Sequence, residues 1–410
     1  MPEDQEGPGQ PSALQGLLVL ELGGGICAAW CARQFADLGA QVIKVEPPGC
    51  GDPARRMGPF PQDRPHPEKS GLFLYLNANK LGVTLDVASP TGRRLFLELA
   101  ERADALVENH SPQETEELGL TYETLRQSNP RLVLTSISPF GQTGPYSHYK
   151  GSELVCFQMA GIGYETPWGT VTEPQRQQPL KGGGHQAQLT AGWMAASATM
   201  VALFHRRVTG HGQHVDLSEQ ETLASTVRPN ITWYSYEGRI PGRIKDTFAR
   251  ISPCKDGYVS ISIMVDSHWP HIVEAMGNPE WAQSEVFDTR PGRVANYDVL
   301  EQMMLPWFMD HTRDDLFQIA QRYGFMLFPL NTVKDLYAND HYAARGLFQK
   351  REHPLAGAWP YPRTPYLLSA TPPRFYGPAP LLGQHNGEVY GGLLGRAEEE
   401  LAALGQLGVI

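Results

Sequence analysis

Positive charge, paired cysteines and long apolar runs are all scarce in this chain, and each shortage removes a class of function. There are 34 Lys and Arg against 44 Asp and Glu, for a formal net charge of -10. That balance excludes a nucleic-acid partner bound by phosphate neutralisation, although a local basic pocket for one anionic ligand is compatible with it. The cysteines, Cys27, Cys31, Cys50, Cys156 and Cys254, are odd in number and scattered. They lack the paired spacing of a zinc site and read as buried thiols. Nowhere do about 18 apolar residues run uninterrupted, and the acidic start, MPEDQEGPGQPS, lacks the basic-then-apolar order of a secretory leader. A cytoplasmic protein with no membrane partner is the expectation.

What is present is the composition of a folded globular chain. Its 410 residues exceed what one hydrophobic core organises, so two domains are expected. The 42 Gly and 34 Pro, alongside 41% hydrophobic residues, imply many turns rather than low complexity.

After a flexible start over 1–12, Leu17–Leu22 reads as a buried strand followed by Gly23, Gly24 and Gly25 and a helix reaching Leu38. Gln41–Val45 reads as a second strand, which makes a βαβ unit with a right-handed crossover. Val83–Val87 is extended, Ser89 and Pro90 supply an N-cap and an N1 proline, and Thr91–Arg102 is helical. Ala105–Val107 and Leu132–Ile137 are further strands. The alternation predicts an α/β fold with a parallel sheet and ligands at the carboxyl ends of its strands. Glu165–Gln188 reads as a long loop entering an apolar, Ala-rich helix over Leu189–Arg207. Beyond Thr222 a hairpin at Ile251–Tyr258 and amphipathic helices to Tyr323 suggest a smaller second domain, and the Pro-rich stretch 354–380 reads as extended and surface-running.

Several motifs invite specific chemistry. Gly23, Gly25 and Ala28 satisfy G-x-G-x-x-A after a strand, with Glu46 about 20 residues on, as a dinucleotide site requires. Any tight strand-to-helix turn also selects glycine, so the motif alone is weak. His268, His271 and Glu274 share a helical face, but Pro270 interrupts them and no fourth ligand accompanies them. His205, His211 and His214 flank a Gly-rich turn without zincin spacing, and no G-x-S-x-G elbow occurs. Lys44, Lys80 and Lys150 flank strands or turns, where solvated surface charge is the ordinary reading.

Taken in order, Leu17–Glu46, Asn77–Lys80, Leu85–Val87, Val107–Asn109, Asn129–Leu132 and Phe140–Pro145, then Arg207–Leu217, Cys254–Gly257, His353-Pro354 and Gly383–Asn386, form one series. The series resembles the class III (family III) CoA-transferases along nearly the whole chain. The resemblance implies a large Rossmann-like domain built from both chain ends (13–222 and 331–410) and a smaller α+β domain (223–330). It also implies two chains interlocked like links. No permanently bound cofactor is implied; a coenzyme A thioester is a substrate, and by motif position Lys44, Lys80, Asn109 and Lys150 are its implied neighbours. Such enzymes attack the thioester with an aspartate carboxylate. Here the matching segment is Gly184–Gly192 and the nucleophile position holds Gln188. The amide cannot form the anhydride, so the implied partner is a homologous subunit that carries the aspartate. A racemase relative is not matched either, since its histidine position corresponds to Ser152. The turn that commonly reads Arg-Pro-Gly is Ser111-Pro112-Gln113, and a basic position before Leu118 is Glu117. Glu153 and Asp216 read as structural rather than as substitute nucleophiles.

Overall fold

The computed structural model describes residues 12–167, 173, 176–240, 250–263 and 265–410. The expected flexible start lies almost wholly outside the described residues, as does part of the expected loop between Glu165 and Gln188. The chain divides into two compact units, one of residues 1–162, 182–228 and 343–410, the other of 163–181 and 229–342.

The first unit is built on six parallel strands: Leu18–Leu22 (β1), Gln41–Glu46 (β2), Leu81–Thr84 (β3), Ala105–Glu108 (β4), Val133–Ser138 (β5) and His214–Ser218 (β6). Their order across the sheet is β3-β2-β1-β4-β5-β6. This is the doubly wound order in which strand succession reverses between β1 and β4, and the crevice at that reversal is where such sheets bind ligands. The helices are Cys27–Asp37 (α1), Gly71–Asn77 (α2), Pro90–Ala100 (α3), Pro112–Leu118 (α4), Tyr122–Ser128 (α5), Glu153–Met159 (α6), Gln186–Thr209 (α8) and Glu219–Ala224 (α9), while Ile162–Glu165 (α7) belongs from residue 163 on to the second unit. Ser89 caps α3 by accepting the Gly92 amide, with Pro90 at its first position, as the sequence leads one to expect.

Alternate residues of each strand serve opposite faces. Leu18, Leu20 and Leu22 join Ile43, Val83, Phe96, Leu99 and Leu134 on one side. Val19 joins Val42, Val107, Phe35, Ala191 and Ala195 on the other, beneath α1 and α8. Although α8 is long and apolar enough to cross a membrane by composition, its Ala-rich face is buried against α1 and β5. Gly192 allows that approach: a Cβ there falls 2.7 Å from the Cys27 carbonyl oxygen. The chain end completes the sheet edge. His385 accepts the Gly82 amide (3.0 Å), Asn386 accepts that of Thr84 (2.9 Å), and the Tyr390 hydroxyl donates to the Thr84 carbonyl (2.9 Å).

In the second unit the expected hairpin forms, as Arg250–Cys254 (β7) and Gly257–Ile261 (β8), and Leu327–Pro329 (β9) adds a third antiparallel strand. The unit's boundaries differ from those expected. Residues 223–228 belong to the first unit, where α9 packs on α6 and α8. Residues 331–342 belong to the second, where Asp335 pairs with Arg313 at 2.8 Å. The Pro-rich stretch also differs: Phe348–His353 (β10) and Gly357–Pro362 (β11) make an antiparallel hairpin in the first unit.

Candidate functional site

The reversal crevice is shaped by the glycine turn after β1. Asn109, just beyond β4, accepts the Gly24 amide (2.9 Å) and donates to the Gly24 carbonyl (2.8 Å), while Asp52 accepts the Gly25 amide (2.9 Å). Gly25 has a φ of +81°, and a Cβ on Gly23 would lie 2.3 Å from the Asn109 Oδ1. The glycines therefore answer to this turn. The nicotinamide reading also needs Glu46 free for a ribose, and it is not. Its carboxylate grips Arg55 at 2.6 and 2.7 Å and accepts the Asp52 amide at 2.9 Å, with the residue 1% exposed.

Beneath the turn lies a buried ion network that the sequence gives no sign of. Glu21, on β1, points to the Val19 face and binds two lysines, Lys44 at 2.6 Å and Lys80 at 2.7 Å. Lys44 also pairs with Asp52 at 2.6 Å, and Lys80 donates to the Ala29 carbonyl and to Asn77. Burial works against the Lys44 charge, but Asp52 and Glu21 outweigh it and hold the ammonium above its usual range. Burial dominates at Lys80, Glu21 opposes it, and the nearby Lys44 and Arg33 charges add to the fall, so the ammonium drops to about 8. Glu21 itself is pushed up by burial and pulled down further by the two lysines, ending below the usual carboxylate range.

Of the four implied coenzyme A neighbours, then, Lys44 and Lys80 are enclosed and engaged with carboxylates of their own chain. Asn109 is half-buried at the rim of the crevice, and Lys150 is exposed. The sequence reading missed Glu21 and Asp52, because neither belongs to a motif and their role depends on which strands adjoin.

Gln188, the residue expected at the nucleophile position, lies in the first turn of α8. Gln188 is half-buried; its backbone amide donates to Glu153 Oε2 at 3.0 Å, and the Ala187 amide donates to Oε1 at 3.1 Å. Glu153, the first residue of α6, therefore caps the positive end of α8 with both oxygens. Asp216 accepts the Gln142 amide at 2.8 Å and pins the turn at Gly141. Both carboxylates thus accept backbone amides. A third was not foreseen. Glu219, 3% exposed, lies between the thiols of Cys27 and Cys156, and its Oε2 has no hydrogen-bond partner among the described residues. Burial raises its carboxyl above the usual range, with the two thiols lowering it and Glu153 adding to the rise. The same carboxyl, after burial, helps raise both thiols, which makes them poor nucleophiles. Among the described residues no group of three or more His, Cys, Asp or Glu is placed to hold a metal.

The turn thus leaves Glu46 no free carboxylate for a nicotinamide ribose, and comparison with known proteins identifies the family. The profile of CoA-transferase family III matches residues 14–386. The chain belongs to CoA-transferase family III. A family III relative, the succinyl-CoA:(R)-benzylsuccinate CoA-transferase subunit BbsE of Thauera aromatica, is 34% identical over 376 residues, 88% of this chain and 89% of its own. A succinate–glutarate CoA-transferase of Agrobacterium fabrum is 30% identical, covering 93% of this chain and 96% of its own. Among solved structures, a CAIB/BAIF family protein from Brucella suis superposes with a TM-score of 0.83 at 30% identity, over 94% of this chain and 100% of its own. Family III enzymes take coenzyme A thioesters as substrates and hold no permanent cofactor.

Proposed function

We propose that this chain is the non-catalytic subunit of a heteromeric, cytoplasmic CoA-transferase, paired with a homologous chain that carries the aspartate. Gln188 is the observation that carries this reading. A carboxamide is neutral, its nitrogen lone pair is delocalised, and it cannot open a thioester to an anhydride. In the partner, the aspartate attacks the acyl-CoA carbonyl and releases the CoA thiolate. The thiolate then attacks the aspartyl carbonyl of the mixed anhydride, freeing the donor acid. The acceptor carboxylate repeats the exchange in reverse and leaves as its CoA thioester. Succinyl-CoA is the proposed donor and benzylsuccinate the proposed acceptor, on the likeness to the Thauera subunit.

The fold is otherwise intact, which fits a chain kept for assembly. On α8, Trp193, Met194, Val201, Phe204 and Val208 are 46–76% exposed, an apolar face of the kind a second chain covers. Asn109 and Lys150 are the implied coenzyme A neighbours open to a ligand; Lys44 and Lys80 shape the crevice through Glu21.

The test is CoA transfer by each chain alone and by the co-purified pair. Transfer by the pair and by neither this chain alone nor its Gln188→Ala variant is expected; transfer by this chain alone contradicts the reading. A second reading, catalysis by another carboxylate, is favoured only by the unpartnered Glu219 Oε2. It predicts transfer by this chain alone that is lost in Glu219→Gln. Tight acyl-CoA binding with no turnover, even with the partner, would instead indicate a binding or scaffold protein.

A further inference from the structure

A narrow cleft of ≈ 30 Å³ opens in the first unit between α1, the β10–β11 hairpin and the segment that follows it. Four arginines line it, Arg33, Arg351, Arg363 and Arg374, against one carboxylate, Asp37. Asp37 is already committed. It pairs with Arg33 Nε at 3.3 Å and accepts from Asn79 Nδ2 at 2.7 Å.

Three donors in the lining have no acceptor among the described residues. Arg33 is 4% exposed, held over the Tyr75 ring at 4.7 Å, and its Nη1 has no hydrogen-bond partner among the described residues. Arg351 rests on the Phe375 ring at 4.5 Å, gives one nitrogen to Gln349 at 2.7 Å, and leaves Nε unpaired among the described residues. Thr364, 5% exposed, has no partner for its hydroxyl among the described residues. Arg363 donates to the carbonyls of Gly346, Thr364, Tyr366 and Arg345 and to no carboxylate among the described residues. Burial and the neighbouring Arg345 both pull its charge down. Buried donors without acceptors are costly, and a folded chain ordinarily gives them a partner.

The cleft is also held rigid. Asn79, in the left-handed region at φ +67°, donates to the Arg374 carbonyl (3.0 Å) and accepts the amides of Tyr376 (2.7 Å) and Gly377 (3.2 Å). That fixes the Arg374–Gly377 segment against the end of α1.

We infer that this cleft binds a small oxyanion, a short-chain carboxylate or a phosphate, between Arg33, Arg351, Arg374 and the Thr364 hydroxyl. Rigid guanidinium forks suit the paired oxygens of either group, and the aromatic faces behind two of them keep the forks from collapsing onto one another. At ≈ 30 Å³ the enclosed space takes only a small anionic head group and not a whole coenzyme A. The site is independent of the Gln188 position, so it stands whether or not this chain turns over.

Calorimetric titration of the full chain, alone and with its co-purified partner, with succinate and with inorganic phosphate tests this. Saturable binding of one equivalent is expected, weakened roughly tenfold or more in Arg351→Gln and in Thr364→Val, since each removes a donor to a charged group. Stronger binding of succinate assigns the carboxylate source, and stronger binding of phosphate the phosphate source. Phenylglyoxal modification of Arg351, read by mass spectrometry, should be slowed by the bound anion. No saturable binding in either preparation, binding unchanged in both variants, or displacement of the anion by coenzyme A overturns the assignment.

Discussion

Replacing Glu21 by Gln tests whether the lysines near the crevice are structural or ligand-binding. Glu21 is fully buried and holds Lys44 at 2.6 Å and Lys80 at 2.7 Å. The amide keeps the shape and removes the one negative charge between two buried ammonium groups. Lys44 retains Asp52, but Lys80 is left with the Ala29 carbonyl and Asn77 only. Breaking a buried pair in this way costs about 3–5 kcal/mol, and at roughly 2–4 °C per kcal/mol the melting point should fall by about 10 °C. Urea unfolding followed by circular dichroism measures the loss. The double variant Glu21→Gln/Lys80→Met should recover part of it, because the unpaired charge is gone. A change below about 1 kcal/mol, or weaker acyl-CoA binding with stability intact, would refute the assignment of these lysines to the network.

Lys80 also makes a pH prediction. Its ammonium is depressed from 10.5 to about 8 in the folded state, so the unfolded chain binds more protons between those values. The burden of charging it is fully present below about pH 8 and is relieved as pH rises toward about 10.5. The wild type should thus gain stability relative to Lys80→Met across that window, and a flat difference contradicts it. Gly192→Ala places a methyl 2.7 Å from the Cys27 carbonyl oxygen, so α8 must lift from α1, at about 1–3 kcal/mol despite the better helix propensity of alanine; thermal unfolding reads it. Asn109→Ala removes both hydrogen bonds to Gly24 and should loosen the crevice, raising the acyl-CoA Kd of the assembled enzyme more than it lowers stability. Glu153→Ala strips the acceptor from two α8 amides and should cost about 1 kcal/mol without altering which chain reacts.

The parallel sheet was legible because its strands are apolar runs bounded by glycines and by the Ser89-Pro90 cap, signals carried by neighbouring residues. The Glu21 network was not, because it needs β1, β2 and the start of β3 side by side, and a charged residue in a strand reads locally as exposed. The β10–β11 hairpin was hidden by Pro360 and Pro362, which suggest a non-strand. Proline is tolerated there because β11 pairs on one side only. The arginine cleft escaped too, since Arg33 and Arg351 are over 300 positions apart in the chain.

The central claim is that Gln188 leaves this chain without the family nucleophile. Incubating the co-purified heteromer with acyl-CoA, trapping with hydroxylamine and weighing the peptides of each chain tests it most directly. Hydroxamate on the partner's aspartate and none on this chain is the predicted result; hydroxamate on any carboxylate of this chain, Glu219 first among them, contradicts it.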